Sequence, residues 1–110
     1  GPSNPITSIG PILSLQGIRE ILKRKRVVAI SPIVGTAPIS GPAGKFMHAT
    51  GFEVSPYGVY KCYADFLDVL VIDARDKRSK EVEAHETEII LKNAADSEVL
   101  AKVIRDIIDN

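Results

Sequence analysis

Two apolar quartets stand out along the chain, Val27-Val28-Ala29-Ile30 and Val69-Leu70-Val71-Ile72, the second ending on Asp73. Each is continuous, short and rich in β-branched residues, which predicts strands buried on both faces of a parallel sheet. Ile89-Ile90-Leu91 predicts a third strand, and Phe52-Glu53-Val54 a brief one. Helical spacing surrounds these runs. Ile18, Ile21 and Leu22 mark a short amphipathic helix running into Lys23-Arg24-Lys25-Arg26, where positive charge suits a helix C-terminus. Pro42 fits the first position of a helix that carries Phe46 and Met47 inward and stops at Gly51. Ser55-Pro56 caps and starts another helix through about Cys62, with Tyr57, Tyr60 and Tyr63 along one face, suited to packing on the sheet. Residues 74–85 are charged and predict a surface turn with a short helix. Asp96 caps the last helix, with Glu98 in its first turn. Its stripe of Val99, Leu100, Val103, Ile104, Ile107 and Ile108 keeps helical spacing throughout. Each such side chain contributes ~1.5–3 kcal/mol when buried, so this helix is expected to dock on the sheet.

The remaining chain is irregular by composition. Gly1-Pro2-Ser3-Asn4-Pro5-Ile6-Thr7-Ser8-Ile9-Gly10-Pro11 holds three prolines, two glycines and four small polar residues, which predicts a stiff irregular turn with free amides. Free amides leading to a helix start suit an anion such as phosphate; a rigid connecting loop is the plain alternative. The long Gly/Pro-rich loop from Ser31 to Gly44 follows the first strand, where ligands of open parallel sheets sit. Within it, Gly41-Pro42-Ala43-Gly44-Lys45 is no phosphate loop: Ile39 stands where the first glycine belongs, and Phe46 where Ser or Thr should follow the lysine.

With 110 residues, 45% hydrophobic and 25% charged, the chain suffices for one small ordered domain. A formal charge of zero argues against nucleic acid as a partner. Through Gly58 the chain carries six Lys and Arg against two Asp and Glu, and all seven prolines and eight glycines. The loop-rich half is therefore net positive, as an anion site requires. One cysteine, Cys62, excludes an internal disulfide and suits a reducing cytoplasm. No apolar run approaches the ~20 residues of a membrane span.

Catalytic groups are hard to assemble. His48 and His85 lack companions at metal-ligand spacing. Asp65, Asp68 and Asp73 could each bind a divalent cation, but structural roles come first for all three. Cys62 reads as a small apolar filler.

The first turn, with Thr7-Ser8-Ile9-Gly10-Pro11-Ile12, resembles the signature of the 2-phospho-L-lactate transferases of coenzyme F-420 biosynthesis. The resemblance continues through Gly17-Ile18-Arg19-Glu20, Ser31-Pro32-Ile33-Val34-Gly35, Gly41-Pro42-Ala43, Tyr63-Ala64-Asp65-Phe66-Leu67-Asp68 and Val71-Ile72-Asp73. A sister group of nucleotide-sugar-binding regulators has Ser-Leu-Tyr in place of Ser3-Asn4-Pro5.

The resemblance implies an α/β, Rossmann-like three-layer fold with a mainly parallel sheet and flanking helices, incomplete at its N-terminal edge. Residues 1–110 are then the C-terminal segment of a single nucleotide-binding transferase domain, inactive alone. It implies transfer of phospholactate from a guanosine-diphosphate-activated lactate to the hydroxyl of the deazaflavin Fo, releasing GMP. The donor nucleotide and deazaflavin are the expected partners, with no nucleic acid or membrane, and a homo-oligomer is left open. Donor contacts are expected at Gly1, Pro2, Ser3, Asn4, Pro5, Ser8, Ser31, Pro32, Val34, Gly35 and Gly41, with Asp65 a secondary candidate. Magnesium ligands are expected upstream of this segment, and no residue is assigned as the catalytic base.

Overall fold

The structure, a computed structural model, describes residues 3–35, 37–38, 41–76, 84–87 and 93–109. Its centre is a parallel sheet. Strand β1 (Val28–Ile30) pairs with β4 (Val69–Asp73), Val28 opposite Val69 and Ile30 opposite Val71. On the far side of β4 lies β5 (Ala84–Thr87), also parallel. Both apolar quartets thus lie in parallel strands, but only β4 is buried as its composition predicts; β1, at the end of the described sheet order, stays half-buried along its length. The amino end of the pair is closed by Asp68: its Oδ2 accepts from Val27 N at 2.6 Å, and its own amide donates to Val27 O. Asp68 thereby satisfies backbone groups where the ladder begins, and its role is structural.

The pleat sends alternate residues of β4 to opposite faces. Leu70 and Ile72 join an apolar cluster with Leu13, Ile33, Met47, Val59, Tyr63 and Phe66. These come mainly from α1 (Gly10–Leu13), α3 (Ala43–Ala49) and α4 (Pro56–Tyr63). Val71 faces the other way, against Leu100 and Ile107 of α5 (Ala94–Asp109). Helices therefore cover both faces of the sheet. A short α2 (Ile18–Leu22) completes the helices, and an antiparallel hairpin of β2 (Ile33–Val34) and β3 (Ala37–Pro38) follows β1.

Several expectations are corrected. Chain 5–13 is helical: a π-helical turn at Pro5–Ile9 runs into α1. Each proline there sits in a first turn, where no amide is needed and the ring's fixed φ is already helical. The loop from Ser31 to Gly44 contains the β2–β3 hairpin. Phe52-Glu53-Val54 is not a strand; Ser55 N and Oγ both engage Glu53 instead, turning the chain into α4. Met47 is fully buried but Phe46 lies outward, since consecutive helical residues point ~100° apart. Pro42 is the N-cap of α3 and not its first residue. The cap of the last helix is Asn93, whose Oδ1 accepts from Asp96 N at 3.0 Å; Asp96 lies in the first turn. Of the α5 stripe, Val99 and Ile108 stay exposed. Strand β5 takes residues 84 and 85 from the expected surface turn; Ile89-Ile90-Leu91 lies outside the described residues.

Ser55 caps α4 as its sequence predicts, accepting from Gly58 N at 3.1 Å. Gly58 is required by the path of the chain before it: a Cβ there would fall 1.8 Å from Glu53 O.

Candidate functional site

The site builds from two short segments that meet around α3. The first is the N-terminal turn. Asn4 is its cap: Oδ1 accepts from Ile6 N at 2.9 Å and Thr7 N at 3.2 Å, while Asn4 O accepts from Ser8 N and Ile9 N. The amides of residues 6–9 are thus consumed by the turn itself, which corrects the expectation of free amides along it. Their spacing after an Asn is the cause, because its side-chain oxygen reaches the second and third amides that follow. What the turn presents is confined to its start: the exposed Ser3 and the half-buried Asn4, whose Nδ2 remains a donor. Pro5 is buried and Ser8 exposed. Gly1 and Pro2 lie outside the described residues.

The second segment is the carboxyl end of β1 and the hairpin beyond it. Ser31 is fully buried, and its Oγ both donates to Ile33 O at 3.0 Å and accepts from Ile33 N at 3.1 Å. Its amide donates to Val71 O, extending the ladder by one residue. Ser31 therefore shapes the bend out of the sheet, and its hydroxyl is already engaged. Pro32 is buried beside it, Val34 is half-buried, and Gly35 and Gly41 are exposed. Both glycines have positive φ, 65° and 72°, which disfavours any side chain there. The π-helical turn packs on α3, and α3 also packs on β3. Helix α3 thus touches both the π-helical turn, which begins at Pro5, and the hairpin strand β3, and Gly41 lies just ahead of it in the chain.

At the carboxyl end of β4 the structure adds residues that sequence reasoning missed. Asp73 is 1% exposed, a burial that a carboxylate tolerates only when paired. Arg75 supplies the pairing through Nε and its backbone N to Oδ1, and through Nη2 to Oδ2 at 2.9 Å. Asp76 N then donates to Asp73 O, and Asp76 Oδ1 accepts from Gly35 N at 2.7 Å. Asp76 thus ties the hairpin to the strand end. The only sequence signal was a carboxylate three residues past a strand terminus, which is common at turns.

Other candidates lie elsewhere. Asp65 precedes β4, toward the amino end of the sheet, and pairs with Arg19 of α2 at 2.7 Å; Arg19 also lies over the Phe66 ring. The Arg19–Asp65 pair is exposed and worth below ~1 kcal/mol. Cys62 is half-buried, donates to Gly58 O, and its thiol is pushed up to about 11 by burial, which disfavours the reactive thiolate. Tyr63 is buried in the core and its hydroxyl is raised for the same reason, while Tyr57 and Tyr60 are half-buried and stack on each other. His48 is exposed on α3. Among the described residues no group of three or more His, Cys, Asp or Glu is placed to hold a metal ion. Among them, too, no helix is long and apolar enough to cross a membrane.

A parallel sheet flanked by helices, with turns gathered at its carboxyl ends, defines an α/β protein. Residues 1–110 match the family model described as 2-phospho-L-lactate transferase CofD, and the chain belongs to that family. It is 53% identical to the 2-phospho-L-lactate transferase of Methanococcoides burtonii, covering 100% of this chain and 38% of that protein. It is 58% identical to that of Methanocaldococcus jannaschii over 94% of this chain and 34% of the relative. With that of Methanosarcina mazei the identity is 69% over 70% of this chain and 25% of the relative. The chain spans about a third of the length of the curated relatives it matches over nearly all its residues.

Proposed function

We propose that the full-length protein moves phospholactate from a guanosine-diphosphate-activated lactate to the primary hydroxyl of the deazaflavin Fo, releasing GMP, in coenzyme F-420 biosynthesis. The observation that carries this is the family match across residues 1–110, with relatives of that name at 51–69% identity. In the reaction the hydroxyl oxygen forms a bond to the phosphorus bearing the lactate, the bridging P–O bond breaks, and GMP carries away the electron pair. Such a transfer depends on holding the diphosphate and aligning attacking and leaving oxygens. Residues 1–110 form the C-terminal segment of the enzyme's single domain, a Rossmann-like three-layer arrangement in which the β1-β4-β5 sheet is one part. Ser3 and Asn4 Nδ2 donate to the donor diphosphate, and the turns at Gly35 and Gly41 line the same crevice. Magnesium would be held by ligands outside this segment, where it would neutralise charge on the diphosphate, and the enzyme works in the cytoplasm.

Incubating the full-length protein with guanylylated lactate, Fo and magnesium should release GMP in step with phospholactate-bearing Fo, whereas residues 1–110 alone should not turn over. Calorimetry should show preference for GDP over UDP-N-acetylglucosamine. The reverse preference, without GMP release, would replace this reading with a nucleotide-sugar-binding regulator.

A further inference from the structure

One polar atom in the described residues is buried and accepts no hydrogen bond: Asp76 Oδ2. Its carboxylate is otherwise firmly placed. Asp76 N donates to Asp73 O at 2.9 Å, and Oδ1 accepts from Gly35 N at 2.7 Å. The neighbouring cation, Arg75, is turned to Asp73 through both Nε and Nη2. A carboxylate oxygen can only accept, so burying one without a donor is costly, and such an atom calls for a donor from outside the chain. It lies just past the carboxyl end of β4, against the turn that leaves β2, on the side of an open parallel sheet where ligands bind.

We infer that Asp76 is a ligand-binding residue that accepts a hydrogen bond, through Oδ2, from an uncharged O–H or N–H group of the bound nucleotide. This rests on the nucleotide-donor reading proposed above. Three sources share that chemistry, a ribose hydroxyl, the exocyclic amine of the base and the base's ring N1–H. With Oδ1 held by Gly35, a single donor suits the remaining oxygen.

Asp76→Asn separates this role from a structural one. The amide keeps an oxygen for Gly35 N and replaces the acceptor at the Oδ2 position with a donor. In the full-length protein the variant should bind GDP about tenfold to a hundredfold more weakly, with a melting temperature equal to wild type or higher. Wild type should lose a similar factor with one of 2′,3′-dideoxy-GDP, marking a ribose hydroxyl, IDP, marking the base amine, or N1-methyl-GDP, marking the ring N–H. The variant should no longer discriminate against that analogue. Unchanged GDP affinity in Asp76→Asn overturns the assignment, as does a lower melting temperature with intact affinity per folded molecule. So does wild-type indifference to all three analogues, or Asp76-dependent binding of magnesium alone. The nucleotide reading is judged separately, by wild type's own preference between GDP and UDP-N-acetylglucosamine. If UDP wins, the ratio of variant to wild type on UDP still tests Asp76.

Discussion

The two faces of the sheet are built differently. Beneath α1, α3 and α4, five side chains, Ile33, Met47, Val59, Leu70 and Ile72, are fully buried, with Leu13, Tyr63 and Phe66 at 7%, 5% and 9% exposure around them. Beneath α5, Val71 is fully buried, but Leu100 and Ile107 keep 6% and 9% exposure, and the stripe's flanks, Val99 and Ile108, are 60% and 49% exposed. The sealed face is assembled from short helices and turns, the looser one from a single sixteen-residue helix. Regular periodicity therefore marks the less tightly closed half of the core. One long amphipathic helix can lay only an arc of its surface on a sheet, whereas several short elements approach from different directions and close the gaps between them.

Backbone contact is what closes the first face, and Gly58 is its sharpest test. A Cβ at that position meets Glu53 O at 1.8 Å and Glu53 C at 2.8 Å, with Met47 Cε at 3.1 Å. Methionine could yield, but the Glu53 carbonyl belongs to the turn that enters α4. Gly58→Ala should lower stability by about 3 kcal/mol or more. Urea unfolding of the full-length protein measures it. A loss below ~1 kcal/mol would mean the 53–58 turn relaxes freely and the sealed face is not fixed by its backbone.

Truncations on the two faces sharpen the contrast next. Met47→Ala and Leu100→Ala both remove buried apolar volume, a change that costs ~2–5 kcal/mol depending on how far the site collapses. Met47 is enclosed on all sides, so its cavity should persist and the loss fall high in that range. Leu100 lies under a helix with exposed flanks, so its loss should be smaller by ~1 kcal/mol or more. Equal losses would make the difference in exposure energetically empty.

The same contrast governs what the sequence disclosed. The quartets around Ala29 and Val71, the Ser55 cap and the α5 stripe were legible because each is a local pattern with one physical reading. The N-terminal turn was misread because its prolines and glycines were counted by composition. Their positions matter more: Pro5 and Pro11 each fall in a first turn. The expectation of donor contacts at Ser3, Asn4, Gly35 and Gly41 rests on the family resemblance, and composition offers only an anion loop. Ser31 lies where expected, yet its hydroxyl closes a bend within the chain. Asp76 was invisible because its meaning depends on Gly35, 41 residues away. Long-range pairing of a backbone amide with a carboxylate leaves no periodicity to read.

Asn4 decides how far the sealed face and the site share residues. Ile6 and Ile9, just beyond it, pack against the larger cluster, so its cap supports the core as well as the turn. Removing an Asn cap costs ~0.5–2 kcal/mol, and Asn4→Ala should lower stability of the full-length protein by about 1 kcal/mol. That loss alone says nothing of ligand binding, since an undone turn also misplaces Ser3. Asn4→Asp is the informative partner: its carboxylate keeps the oxygen that Ile6 N and Thr7 N require, and Asp caps helices as well as Asn does. It lacks only the Nδ2 donors, and it sets a negative charge beside an anion. If Nδ2 holds the donor diphosphate, Asn4→Asp should melt like wild type while GDP binding weakens tenfold or more. If Asn4 serves the fold alone and no diphosphate sits at this turn, Asn4→Asp should retain both properties.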